Sequence, residues 1–318
     1  MWLVVKGPSP PPSRVEGQGV LRLAFCVLRL AFGVRRRTYD VRRTTRARLS
    51  AIAPRPTIRL LSVTDTHCHL DYLEPAELAG ALEAARGFRA MLTIGTEPAK
   101  SRRNLEIAGS APNVWAAVGI HPTEAERWRE YREETLELAR HERVRAVGES
   151  GLDFYWTPQT RPQQYEALDW QAELAAELGL PLVLHVRSAQ GDDRAELEVA
   201  EWLRRNRPPK VVLHAFGGHP ALAEAGLEAG AYFSFAGPFT YKKNTRVREA
   251  ARQLPLERLM VETDTPFLPP EPHRGKRNQP AYVRHTLEKL AEVRGLSAAE
   301  MERVTDANAQ RCFGFTPA

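Results

Sequence analysis

From Ser62 onward, short runs rich in β-branched residues alternate with longer stretches in which apolar residues recur every three to four positions. The short runs predict eight strands, at 62–66, 89–94, 114–118, 144–147, 181–185, 211–214, 231–235 and 259–262. Helical spacing fills most of the gaps. Trp128, Tyr131, Thr135 and Leu138 share one face of a predicted helix, and Leu168, Ala172 and Ala175 share a face of the next. Gly179 stands where a helix C-cap is expected, and Pro181 stops that helix. Ser297 and Glu300 read as a capping box that opens the last helix.

Eight strands alternating with helices predict an α/β protein with a parallel sheet, and ~250 residues suffice for a TIM-type (β/α)8 barrel. An open, doubly wound sheet shows the same alternation, so periodicity leaves closure open. No glycine-rich phosphate loop follows the first strand, which weighs against a nucleotide-binding open sheet. The expected organisation is a barrel over 62–318 behind a basic, Pro- and Arg-rich extension over 1–61.

That extension is Pro-rich at 7–12 and Arg-rich at 35–48, with VLRLAFC from Val20 repeated as VLRLAFG from Val27. Its composition is compatible with a transit peptide, a phosphate-contacting arm or a dispensable extension. We read it as disordered, with weak helicity over 20–33. A secretory signal fits badly, because Arg22 and Arg29 interrupt the apolar stretch and the arginine block follows it.

The net charge of +6 changes meaning once it is located. Residues 1–62 hold thirteen of the 45 lysines and arginines but two of the 39 acids, leaving 63–318 at a net −5. Nucleic-acid affinity in the barrel would therefore come from local patches or bound cations. Cys26, Cys68 and Cys312 show no paired spacing, which suggests a reducing, cytoplasmic setting. No uncharged apolar run reaches the ~18 residues of a membrane span, and no obligate protein partner is indicated.

The chemistry concentrates at strand ends. His67, His69, His121, His185 and His214, five of the nine histidines, fall at the C-terminal ends of predicted strands, where a barrel builds its active site. The i, i+2 spacing of His67 and His69 sends both imidazoles to one side of an extended chain, with Cys68 facing away as a small core residue. Glu149 stands at the end of strand four, where a carboxylate can bridge two cations. Asp264 ends strand eight, placed to hold a metal and to take a proton from an attacking water. The set His67, His69, Glu149, His185, His214 and Asp264 therefore reads as a site for two divalent cations, Mg²⁺ or Mn²⁺, with Zn²⁺ also compatible. Glu149 and Asp264 are the catalytic candidates. His121 faces substrate more naturally than metal, and the Arg187 fork suits a phosphate oxygen. The run from Arg274 to Gln279 adds Arg277 and Asn278 as further substrate contacts. Tyr155, Trp156 and Phe216 lie just past strand ends, placed either to stack bases or simply to pack.

These stretches resemble the TatD family of metal-dependent deoxyribonucleases, within the amidohydrolase-like barrels. The resemblance rests on DTHCHLD (65–71), GIHP (119–122), GESGLDFY (148–155), PLVLHVR (181–187), LHAFGG (213–218), ETDTPFL (262–268) and RNQP (277–280). It spans 62–315 and implies the same six metal ligands. It also implies that His121 and Asp153 belong to the active-site region, Asp153 as a substrate contact. LHAFGG stands where the family more often has HCFSG, and RNQP replaces RNEP, changes that touch substrate contacts and no ligand. The implied activity is phosphodiester cleavage in DNA, with exonucleolytic trimming of single strands as one mode and RNA as a further substrate. An ester or amide hydrolase on the same site, such as a D-aminoacyl-tRNA deacylase, is the alternative.

Overall fold

The computed structural model describes residues 62–315, so the reading of 1–61 lies outside the described residues. Its eight strands are β1 (Thr64–Cys68), β2 (Ala90–Ile94), β3 (Val114–Val118), β4 (Val144–Asp153), β5 (Leu182–Arg187), β6 (Val211–Leu213), β7 (Tyr232–Phe235) and β8 (Leu259–Val261). Between and after them run α1 (Pro75–Ala84), α2 (Pro98–Ser110), α3 (Trp128–Ala139), α4 (Arg161–Leu178), α5 (Arg194–Asn206), α6 (Pro220–Glu228), α7 (Thr245–Gln253), α8 (Val283–Arg294) and α9 (Ala298–Phe313).

Each strand pairs in parallel with the next, in the order β1 through β8. The ring closes where the chain after β8 meets β1. His69 N donates to Thr265 O at 2.6 Å, Asp264 N to His67 O at 2.8 Å, and Thr66 Oγ1 to Val261 O at 3.0 Å. The structure is the TIM-type barrel rather than the open sheet.

Strand alternation divides the core in two. Met91, Val114, Ala116 and Val118 point outward and pack beneath the helices, with Leu168 and Leu174 of α4 among their partners. Ala90, Leu92, Ile94, Trp115, Ala117, Val183 and Met260 point inward and fill the barrel. Ala309, Cys312 and Phe313 of α9 join that inner cluster and close one end of it. The end beyond the strand C-termini is left for the polar side chains. Among the described residues, no helix is long and apolar enough to cross a membrane.

The local signals act as their chemistry requires. Gly179 adopts φ +66 and caps α4, and Ser297 and Glu300 form a reciprocal capping box at α9. Trp128, Tyr131 and Thr135 are buried along α3. The bounds of three strands differ from expectation by more than one residue. β1 starts at Thr64, β5 runs on to Arg187, and β4 continues to Asp153 through a register shift between Val147 and Ser150.

Candidate metal centre

The inward parity of β1 carries His67 to the barrel mouth, with His69 just past the strand end, while Cys68 faces outward and points its Sγ at Leu92 O. In β4 the register shift aims Glu149 inward. Gly148 before it adopts φ +134, and a Cβ there would stand 2.7 Å from Val183 O, so only glycine permits this path.

Glu149 is 2 % exposed and stands at the centre. Its Oε2 lies 3.3 Å from His67 Nε2 and 3.6 Å from His69 Nε2. Its Oε1 lies 2.8 Å from His185 Nδ1, 3.1 Å from His214 Nε2 and 3.8 Å from His121 Nε2. Asp264 Oδ1 approaches His69 Nε2 at 3.3 Å and His67 Nε2 at 3.6 Å, from a backbone at φ +59. The six residues expected as ligands are thus brought together, as donor groups His67–His69–Asp264, His67–Glu149–His214 and His121–Glu149–His185.

The unreacted nitrogens show which atoms face inward. His69 Nδ1 lies 3.0 Å from Ile94 O, and His214 Nδ1 lies 2.9 Å from Glu262 Oε1. Both bonds place the hydrogen on Nδ1 and turn Nε2 toward the carboxylates, as a metal ligand requires. His67 and His69 hold their Nε2 atoms 3.2 Å apart, while buried His67 Nδ1 has no hydrogen-bond partner. Convergent imidazole nitrogens and carboxylate oxygens in a buried site fit a divalent cation.

His121 lies within one of these groups, but its tautomer sets it apart from them. Its Nδ1 accepts from Thr123 N at 3.2 Å and lies 2.8 Å from Thr123 Oγ1, so the neutral ring carries its hydrogen on Nε2, facing the centre. Burial, followed by the neighbouring His185, pushes its pKa down to about 3. The remaining charges interlock. Burial opposes ionisation of Glu149, yet the charges of His214 and His67 and bonds from His185 and His214 hold it well below the usual carboxylate range. His214 is held well above the usual imidazole range by Glu149 and Glu262, against burial.

Two of the expected substrate contacts, Asp153 and Asn278, are engaged within the protein. Asp153 is fully buried, its Oδ2 2.9 Å from His185 Nε2 and its Oδ1 accepting from Tyr155 N and Trp156 N at 2.9 and 2.7 Å. Its oxygens are spent on positioning His185 and the turn after β4. Asn278 is 1 % exposed and donates to Thr263 O and Phe267 O, fastening the loop after β8. Phe216, which the sequence left open between stacking and packing, is 4 % exposed and packs on Phe233 and Phe235. Arg187 is exposed and lies over Tyr155 at 4.2 Å, whereas Arg277 pairs with Glu77 and donates to Tyr72 O.

The structure adds supports that residue type alone did not single out. Glu262 accepts from His214 and from Ala215 N at 2.8 Å. Asp65 accepts from Thr263 N at 2.9 Å and Thr263 Oγ1 at 2.6 Å, joining the ends of β1 and β8, and burial pushes its carboxyl up to about 8. A signal was present for Glu262, an acid directly after the apolar run Leu259–Val261 that must find a partner on folding. A second aromatic pair was also missed. Tyr72 and Phe267 are exposed, 5.4 Å apart, and each 5.8 Å from the His69 ring.

Comparison with known proteins agrees with this geometry. Residues 64–314 match the family described as TatD related DNase. The uncharacterised metal-dependent hydrolase YcfH of Escherichia coli K12 is 36% identical over 262 residues, covering 79% of this chain and 95% of its own. The 3'-5' ssDNA/RNA exonuclease TatD of Citrobacter rodentium is 35% identical over 241 residues, 73% of this chain and 89% of its own. Among solved structures, the TatD homologue YjjV of E. coli superposes with a TM-score of 0.70 at 29% identity, covering 81% of this chain and all of that one.

Proposed function

This chain belongs to the TatD-related DNase family of metal-dependent hydrolases, and on that footing we propose that it cuts phosphodiester bonds in single-stranded nucleic acid, DNA foremost. The observation that carries the reading is the division of Glu149, whose two oxygens face separate groups of imidazoles at the barrel mouth. His67, His69 and Asp264 would hold one cation, His185 and His214 a second, with Glu149 between them. An imidazole-rich set suits Mn²⁺ or Zn²⁺, and its carboxylates admit Mg²⁺.

When bound, such cations polarise a phosphate and lower the pKa of water. The chain supplies the rest. Asp264, at the inner edge of the mouth, takes the proton of the attacking water. His121 offers its Nε2 hydrogen to a phosphate oxygen. Tyr155 and Trp156, 45 % and 62 % exposed beside β4 and β5, are placed to stack bases. Tyr72 and Phe267, beside β1 and β8, offer a second stacking surface across the mouth. Unstacked bases belong to single strands, in keeping with the name of the Citrobacter relative.

The test is hydrolysis of end-labelled single-stranded DNA by the full chain, with Mn²⁺, Mg²⁺ or Zn²⁺ added and D-aminoacyl-tRNA as the rival substrate. Asp264→Asn is expected to slow DNA cleavage by at least ~100-fold. Equal trace activity in wild type and variant would end this reading.

A further inference from the structure

Beside the metal centre, between the loops that follow β6, β7 and β8, lies a cavity of about 410 Å³. That is room for a nucleotide-sized group. Phe216, Ala236 and Phe239 form its apolar wall, and Lys243, Asn244 and Arg246 stand at its rim. Ala215, which also lines it, directly follows His214, and its N–H is fixed on Glu262.

The charge at this rim runs against that of the domain. Residues 63–318 are net acidic, yet 229–248 contain Lys242, Lys243, Arg246 and Arg248 and no acid. Arg204, Arg252 and many other surface arginines are paired with glutamates. Among the described residues, no carboxylate pairs with Lys242, Lys243 or Arg246, all three exposed. Arg246 Nε donates to Gly217 O at 3.2 Å, which ties the guanidinium to the rim and leaves its other donors available.

The walls are also built from uncommon backbone. Among the described residues, four other than glycine adopt positive φ: Arg207 just after α5, Asp264 in the metal centre, and Ala215 and Leu268, both lining this cavity. Residues held in that region cost stability and persist where surrounding structure enforces them, often at binding sites. Gly237 lets the chain after β7 pass against Leu268 O, where any Cβ would overlap the carbonyl.

We infer that this cavity is a nucleotide subsite, which takes the base and sugar next to the scissile phosphate while Lys243 and Arg246 hold the flanking phosphate groups. The inference rests on the nuclease reading and deepens it. The strand would leave the metal centre on the β6–β7 side, with affinity drawn from a local patch on an acidic domain.

The experiment compares wild type, a Lys243→Ala/Arg246→Ala double variant and a Lys210→Ala/Arg303→Ala control, all full-length. Lys210 precedes β6 and Arg303 lies on α9, both exposed and away from the mouth. The probe is fluorescein-labelled dT12, bound in EDTA by anisotropy and cleaved with Mn²⁺, against bis(4-nitrophenyl) phosphate as a minimal diester. The double variant should raise Kd and KM for dT12 roughly tenfold, with kcat changed far less. Its salt dependence should weaken by about 1.4 in the log–log slope, ~0.7 for each lost phosphate contact on a single strand. The effect on the minimal diester should be much smaller.

Wild-type Kd, KM and salt slope in the double variant would overturn the subsite and leave the nuclease reading standing. An equal loss in the control would overturn it as a general charge effect. Absence of dT12 cleavage by wild type would overturn both readings.

Discussion

The tautomer of His214 is set by one atom, Glu262 Oε1, which takes the Nδ1 hydrogen and leaves Nε2 directed at Glu149. Partners of this kind raise ligand basicity, and their loss commonly costs 10–100-fold in metal affinity. Glu262→Gln should therefore weaken Mn²⁺ binding by about that factor, read by competition with a chelating dye. Unchanged affinity would show that Glu262 serves only the Ala215 turn. The convergence of the candidate ligands was legible in the sequence because imidazoles and carboxylates at strand ends have few other uses. The bonds that Asp153 and Asn278 make within the chain were not legible there, for a physical reason. Their partners are mainly backbone groups and one distant imidazole, and the convergence of Asn278 on Thr263 O and Phe267 O exists only in the folded chain.

At the scale of elements, β4 shows where pattern reading stops. The sequence predicts a strand of 144–147, stopping short of Gly148 and Gly151, yet pairing with β5 resumes at Ser150 and continues to Asp153. The glycines mark a bulge, which re-aims Glu149 without ending the strand. Gly148→Ala should then combine backbone strain with a Cβ pressed on Val183 O, lowering stability by ~1–3 kcal/mol or more and loosening the metal site. Gly179→Ala is the matched comparison, left-handed at φ +66 with nothing within 4 Å of the new Cβ, and should cost only ~1–2 kcal/mol. Urea unfolding of both checks the order, and an equal loss would remove the special role of the bulge. Gln171 ties these elements together, accepting from Ile120 N and donating to Ile120 O and Ser150 Oγ, between the ends of β3 and β4. Its side chain is fully buried on α4, on the face that Leu168 and Ala175 share, so helical periodicity turned it inward but could not name the backbone groups it meets.

For the molecule as a whole, the two ends of the barrel are built on opposite principles. α9 closes one end with Ala309, Cys312 and Phe313 against inward apolar side chains, a source of stability that needs no ligand. The other end crowds five histidines around Glu149, Asp153 and Asp264, with Asp65 and Glu262 buried beneath them. Such a cluster is stabilised by any cation that binds the folded chain and not the unfolded one. Saturation to about 100 times Kd should add ~2.7 kcal/mol to the unfolding free energy. For a domain of this size that corresponds to a rise of roughly 5–10 °C in Tm, reversed by EDTA. A His67→Ala/His69→Ala double variant should fold with its closed end intact and lose most of the response to Mn²⁺. The measurement is a thermal melt of wild type and variant with and without the ion. If both chains shift equally, the cation is acting elsewhere and the assignment of the barrel mouth as the metal centre falls.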